Sequence, residues 1–185
     1  MPLVRVTIYT ILTKLSNFSY ICITLMIRKA TYEDIPVLMD IFRNARAIMR
    51  SCGNMNQWND GYPSEEVVRK DISCGHCVVL CDDGKVIATM AFIPGPDPTY
   101  AEIHDGEWKD DCPYRVIHRI AVHEPGHGAA RKLFDWGFTQ AKSIRIDTHK
   151  DNVIMHHILR KYGFRHCGVI FLANGDPREA YQMTL

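Results

Sequence analysis

The stretch YRVIHRIAV (114–122), then EPGHGAA (124–130), then RKLFDWGFTQA (131–141) decides the fold. The first piece is β-branched and alternating, so it predicts a strand over Tyr114–Val122. Pro125, Gly126 and Gly128 break it. Ala130, Leu133, Phe134, Gly137, Phe138 and Ala141 then recur at helical spacing and mark one face of a helix. A helix start leaves its first N–H groups unpaired and carries partial positive charge. Glycines let a phosphate come close to that backbone. Gly126 to Arg131 is therefore a candidate anion cradle, with Arg131 adding a charge; a tight strand-to-helix turn is the plainer alternative.

Downstream, Ser143–Thr148 reads as a strand. Asp151 or Asn152 caps a helix with Met155, Ile158, Leu159 and Tyr162 inward, and Gly163 ends it. Arg165–Ala173 and Glu179–Leu185 form a hairpin across Asn174-Gly175. Upstream, Met26–Ala30 is a short strand, and Thr31-x-x-Asp34 opens a helix through Ile35, Leu38, Met39, Phe42, Ala45 and Met49. Asn54–Tyr62 is a polar loop holding one large aromatic, Trp58. Pro63 and Ser64 start a second helix with Val68 and Ile72 on one face. His76–Cys81 and Lys85–Ile93 pair across Asp82-Asp83-Gly84. Pro94–Pro113, with four prolines and two glycines, is a loop or irregular insertion. The order of elements is an α/β mixture around one sheet.

The chain has 185 residues, a one-domain length, and is 46% hydrophobic and 23% charged, which is a globular composition. Twenty-two basic against 21 acidic residues give a net charge of +1 and no basic excess for gripping nucleic acid. Seven cysteines cannot all pair within one chain; without a clear secretory cleavage signal they read as reduced thiols of a cytoplasmic protein. Residues 1–25 contain Arg5 and Lys14 and no acid, so the remainder holds 20 basic and 21 acidic residues. Their apolar runs are broken well short of the roughly 18 residues of a membrane span, so no membrane partner is expected. They read as a dispensable, strand-like extension, with Met26 the natural beginning and residues 26–185 the domain.

The element order, the Gly-rich loop, Asn152 and the later Gly163-Phe164 together resemble the GNAT superfamily of N-acetyltransferases, from Met26 to the C-terminus. The resemblance implies a central mixed, mostly antiparallel sheet flanked by about four helices. It implies acetyl-CoA as acetyl donor, no metal, a small-molecule or peptide amine as acceptor, and a monomer or homodimer. Family members hold the coenzyme pyrophosphate on a loop of pattern Gln/Arg-x-x-Gly-x-Gly/Ala. Gly128 and Ala130 match its last positions, whereas Pro125 stands where Gln or Arg is usual, and the approach from Val122 is about two residues shorter. Ile120, Val122, Gly126, His127, Gly128, Ala129, Ala130 and Arg131 are thus the implied cofactor contacts, and Asn152 inherits the pantetheine arm.

Amine acetylation needs a group that takes a proton near neutral pH, and His is the natural type. The position where the family often carries a basic Glu is Val116; His118 lies two residues on, on the same strand face, and is the first candidate. Asp147 and His149, at the end of the neighbouring strand, are the second. Glu102, His104 and Glu107 lie in the insertion within possible reach. The Tyr that commonly follows the family's Asn by seven residues, and protonates the leaving thiolate, is Leu159 here; Tyr162 reads as a core residue with its hydroxyl at the edge. Asn56, Gln57 and Trp58 fall on the loop that lines the acceptor side in the family. Cys74-x-x-Cys77-x-x-x-Cys81 with His76 has zinc-ligand types, but Cys77 and Cys81 share a strand face that His76 does not. His156-His157 reads as a surface pair. The leading expectation is an acetyl-CoA-dependent N-acetyltransferase working by direct transfer in a ternary complex. The alternatives are a non-catalytic acyl-CoA-binding or interaction protein on the same fold, and a zinc-dependent module.

Overall fold

The computed structural model describes residues 7–15 and 19–185, with side chains from Leu25 onward. The elements are β1 (Thr7–Leu15), β2 (Ser19–Lys29), α1 (Ile35–Ser51), α2 (Glu65–Ser73), β3 (Cys77–Asp82), β4 (Lys85–Pro94), β5 (Tyr114–Val122), α3 (Ala129–Gln140), β6 (Ser143–Thr148), α4 (Val153–Tyr162), β7 (Arg165–Phe171) and β8 (Pro177–Thr184). They build one eight-stranded sheet in the order β1-β2-β3-β4-β5-β6-β8-β7. Neighbours run antiparallel except β5 and β6, which are parallel. The expected mixed, mostly antiparallel sheet with four helices is the architecture found.

Each face of the sheet is covered by the apolar side of two helices. Leu133, Phe134 and Trp136 of α3 and Leu159 of α4 pack on Leu80, Met90, Phe92, Ile117, Ile144 and Ile146. Ile35, Leu38, Ile41 and Phe42 of α1 and Val68 of α2 pack on Cys77, Val79 and Cys81. Burying such side chains stabilises by roughly 1.5–3 kcal/mol each, which is why the helical periodicity found the elements so well. Cys77, Val79 and Cys81 share this face, and burial pushes the Cys77 thiol up to about 11, a packing residue rather than a thiolate ligand. Among the described residues no three His, Cys, Asp or Glu side chains converge as a metal site. No helix there is long and apolar enough to cross a membrane.

Several local expectations change. The strand read from Met26 begins at Ser19, because its first half pairs with β1. His156 is not a surface residue: its Nδ1 lies 2.7 Å from the Tyr181 hydroxyl and its Nε2 3.1 Å from the His149 carbonyl, tying α4 to β8. His157 does point outward, as adjacent helical side chains diverge.

The insertion between β4 and β5 is an ordered plate on the α1 side of the sheet. It opens with a 3₁₀ turn, Pro98–Tyr100, and Tyr100 is buried with Val116, Ile170 and Ala180. The Arg145 guanidinium of β6 lies between the Trp108 and Tyr114 rings, 4.0 and 3.9 Å from their centres, and donates to the Asp110 carbonyl at 2.8 Å. Gln182 of β8 accepts from the Lys109 amide at 2.8 Å. His104 forms a β-bridge with Val169, and a side chain at Gly168 would collide with the His104 carbonyl.

Thr7–Leu15 pair with β2 alone, and Ser19–Thr24 of β2 pair with β1 alone, whereas β2 meets β3 from Leu25 to Lys29. A chain beginning at Met26 is expected to keep a cooperative thermal transition. Circular dichroism measures it, and loss of the transition would show that the β1–β2 hairpin is needed to cover the sheet edge.

Candidate active site

The site begins where β5 and β6 part. They are paired only from Tyr114–Ile117 to Ser143–Ile146, so beyond Ile117 the β6 side of β5 is open. On its other side β5 carries an extra residue: Ala91 faces His118 but Thr89 faces Ala121. Arg119 sits in the bulge with φ +54. His118 and Arg119 therefore both face the α1 side, while Ile117 and Ile120 join the α3 side. The Arg119 guanidinium holds Asp71 of α2 through two bonds of 2.8 and 2.9 Å and donates to the Tyr62 hydroxyl at 2.9 Å.

A cavity of about 1300 Å³ occupies this opening. One end is the loop into α3. Gly126 and Gly128 have φ of +102 and +67, left-handed values that favour glycine. Lys132 is the first amide of the helix to donate back along the chain, to the Gly128 carbonyl. Among the described residues the amides of Ala129, Ala130 and Arg131 have no hydrogen-bond acceptor. Nothing lies within 4 Å of where a side chain on Gly126 or Gly128 would start, so an anion has room to approach them. Ile120, Val122, His127, Arg131 and Asn152 line the same cavity.

The other end gathers His118, Asp147 and the Asn54–Tyr62 loop. His118 Nε2 lies 3.0 Å from Asp97 Oδ2, and Nδ1 lies 3.7 Å from Asp147 Oδ1. Tyr100 donates its hydroxyl to Asp147 Oδ1 at 2.6 Å. The bond from His118 holds the Asp97 carboxyl down at about 2. Burial, then the Asp147 carboxylate, pushes the Tyr100 hydroxyl well above the usual phenol range. His118 and Val116 share a face, as the strand period implies, and both border Tyr100.

His149 is not brought to this cluster. The chain turns after Thr148, and the buried His149 ring accepts at Nδ1 from the Asp151 amide, 3.2 Å away, outside the cavity lining. Burial lowers its affinity for a proton. His104 joins β7 through its backbone, and its ring lies against Phe171, outside the cavity lining. Asp97 and Tyr100, which sequence reasoning passed over, take the place of those insertion candidates. Their signal was faint: Asp97-Pro98-Thr99 is an Asx turn, with Asp97 Oδ1 accepting from the Thr99 amide at 2.9 Å.

The Asn54–Tyr62 loop is held by Arg50 at the end of α1, which donates to the carbonyls of Asn54, Gln57 and Trp58 at 2.6, 2.9 and 3.3 Å. Trp58 lines the cavity with its other side edge-on to Phe42. Asn56 lines it too. Gln57 lines it as well, largely buried, with its Oε1 accepting from Asn54 and from Asn152 at 2.8 and 2.9 Å. Asn152 meanwhile accepts from the Met155 amide at 3.1 Å, capping α4. Tyr162 packs on Phe134 and donates to Asp135 at 2.8 Å. Leu159 is fully buried.

The chain matches the acetyltransferase (GNAT) family over residues 42–164. Among solved structures, a GNAT-family acetyltransferase from Streptococcus agalactiae is 34% identical with a TM-score of 0.80, over 87% of this chain and 95% of that one. A GNAT-family acetyltransferase from Listeria monocytogenes is 19% identical with a TM-score of 0.65, over 88% and 95%. A ribosomal-protein-alanine N-acetyltransferase from Brucella melitensis shares the fold at 17% identity and a TM-score of 0.60, over 86% and 99%. A search of the curated proteins finds no match.

Because Asp97 is held at about 2 in the fold, against about 3.9 for an ordinary Asp, its contact contributes stability above about pH 4 and loses it as the pH falls through about 2. The difference in unfolding free energy between the parent and Asp97→Asn is expected to be greatest above about pH 4 and near zero below about pH 2. Denaturant unfolding across that range measures it.

Proposed function

We propose that this chain, which belongs to the acetyltransferase (GNAT) family, transfers an acetyl group from acetyl-CoA to the amine of a small molecule or peptide. The observation that carries the reading is one continuous cavity running from the unpaired amides of α3 to His118 and Asp147. A pyrophosphate fits the first end, where amides and a helix dipole meet open space above two left-handed glycines. Bound there, acetyl-CoA supplies an acyl group activated as a thioester.

The chain's own residues then have distinct tasks. Ala129, Ala130 and Arg131 hold phosphate through backbone N–H groups, with His127 and the Arg131 side chain at the rim. Ile120 and Val122 offer an apolar wall along the open side of β5, where strand amides free of β6 are available to a polarised thioester oxygen. Asn152 fixes the start of α4 beside the expected pantetheine path. Trp58 and Asn56 wall the acceptor side, and Gln57 braces that wall against Asn152. His118 takes the acceptor's proton. The amine nitrogen forms a bond to the acyl carbon, the carbon–sulfur bond breaks, and the departing sulfur takes up a proton to leave as a thiol. Among the described residues no cysteine lines the cavity, which favours direct transfer over an acyl-cysteine.

A second reading, an acyl-CoA-binding protein without turnover, draws on Val116 and Leu159, both fully buried where the family often carries Glu and Tyr. Acetyl-CoA turnover by the purified protein over a panel of amines separates the two; binding without turnover on any amine supports the second.

Two variants test the assignment. His118→Ala is expected to lower turnover by roughly 10²–10⁴-fold with acetyl-CoA affinity unchanged, by steady-state kinetics and calorimetry. Normal turnover across pH 6 to 9 would remove His118 from the mechanism. Gly128→Val places a β-branched side chain at φ +67, and is expected to weaken acetyl-CoA binding at least tenfold in calorimetry while the protein stays folded. Unchanged affinity would move the phosphate elsewhere.

A further inference from the structure

The three groups around His118, namely Asp97, Asp147 and Tyr100, are not equivalent, and their hydrogen bonds assign them different work. Asp97 has no oxygen to spare: Oδ1 accepts from the Thr99 amide, and Oδ2 lies against His118 Nε2. Its own amide donates to the Tyr114 hydroxyl at 3.2 Å. It also lies outside the cavity lining, behind His118. An ionised carboxylate only accepts, so the proton between Asp97 and His118 belongs to Nε2. In the neutral ring that leaves Nδ1 as a lone pair, directed toward Asp147.

Asp147 lines the cavity. Tyr100 fixes its Oδ1 from behind, while among the described residues Oδ2 has no hydrogen-bond donor. The 3.7 Å between His118 Nδ1 and Asp147 Oδ1 is too long for a hydrogen bond between them. It is short enough for a third group with two N–H bonds to reach both, each at about 2.9 Å. A protonated primary amine is such a group, and its charge answers a carboxylate that has no cation of its own.

We propose that Asp147, clamped by Tyr100, receives the acceptor as its ammonium ion, and that Asp97 is a positioning residue turning His118 Nδ1 onto that ion. The ammonium N–H bond breaks, its electron pair stays on the amine nitrogen, and the proton passes to Nδ1. The resulting imidazolium lies between two carboxylates, Asp97 and Asp147, which stabilise it until it releases the proton to solvent. This rests on the acetyl-transfer reading for the identity of the acceptor, but not for the existence of the ammonium receptor. An amine that is uncharged at neutral pH, such as an arylamine, leaves the Asp147 carboxylate unpaired and is a poor acceptor.

The test uses the full chain with acetyl-CoA, benzylamine and aniline. Benzylamine is expected to be acetylated with kcat/KM at least 100-fold above aniline. Asp147→Asn keeps an acceptor for Tyr100 and is expected to raise the KM for benzylamine more than tenfold, with the KM for acetyl-CoA unchanged. Tyr100→Phe removes only the hydroxyl and should raise the same KM by a smaller factor. Asp97→Ala should lower kcat about 10–100-fold with the benzylamine KM unchanged, Asp97→Glu restoring part of it. ¹⁵N spectra should show the Nε2–H tautomer of His118 in the parent and a mixture in Asp97→Ala. Equal use of the two amines, or an unchanged benzylamine KM in both Asp147→Asn and Tyr100→Phe, overturns the receptor while leaving acetyl transfer standing. An unchanged tautomer in Asp97→Ala overturns the positioning role. If the parent acetylates no amine, the functional reading fails. Titration of benzylammonium followed at the His118 resonances then decides the receptor: saturation in the parent but not in Asp147→Asn supports it, and equal response overturns it.

Discussion

The buried contact between Arg119 and Asp71 is the constraint on which the site depends. Arg119 holds a left-handed backbone conformation in the middle of a strand, a state that costs a non-glycine residue on the order of 1–2 kcal/mol. Two guanidinium bonds to Asp71 and one to Tyr62 hold it there. Removing one partner would leave the other charge unpaired in a largely buried place, which typically costs about 3–5 kcal/mol. The bulge so fixed does two things. It sends His118 and Arg119 to the same face, and it accompanies the parting of β5 from β6 beyond Ile117. The gap between two parallel strands is thereby left for a ligand.

A second constraint brings chemistry to that gap. The insertion between β4 and β5 has little regular structure, yet β6 anchors it twice. Arg145 is stacked between Trp108 and Tyr114, and Asp147, two residues on along the same strand, takes the Tyr100 hydroxyl. Trp108 in turn donates its indole N–H to the Tyr100 carbonyl at 3.2 Å. The plate so anchored delivers Asp97 to the back of His118. A loop that looks like filler in the sequence thus supplies half of the polar cluster. Long ordered loops on a rigid sheet are where such groups tend to be carried.

The opposite wall shows the same economy. Arg50 gathers the carbonyls of the Asn54–Tyr62 loop, and Gln57 passes the connection to Asn152 across the cavity. Loop and α4 cap are one hydrogen-bonded unit. His149, which looks free to meet a ligand in the linear sequence, is turned away from the cavity and accepts from the Asp151 amide, while Gln57 lines the cavity and uses its Oε1 to hold the wall in place.

What the sequence by itself determined is whatever depends on local periodicity and turn chemistry. The hydrophobic spacing of α1, α3 and α4, the Asp82-Asp83-Gly84 hairpin, and the Gly-rich entry to α3 each carry their own signal, because helices and strands bury one face at a fixed period. The strand face that His118 takes was legible for the same reason, since alternation from Val116 sets it before the bulge intervenes. Hydrogen-bond partners far apart in the chain are not encoded by any period. The pairing of Asp97 with His118, Tyr100 with Asp147, Arg119 with Asp71 and Gln57 with Asn152 exists only once the sheet has brought those strands and loops together. Tertiary structure alone also decided that His156 turns inward to Tyr181 and His149 away from Asp147. Each outcome depends on where a buried polar group finds its partner, and a buried polar group must find one.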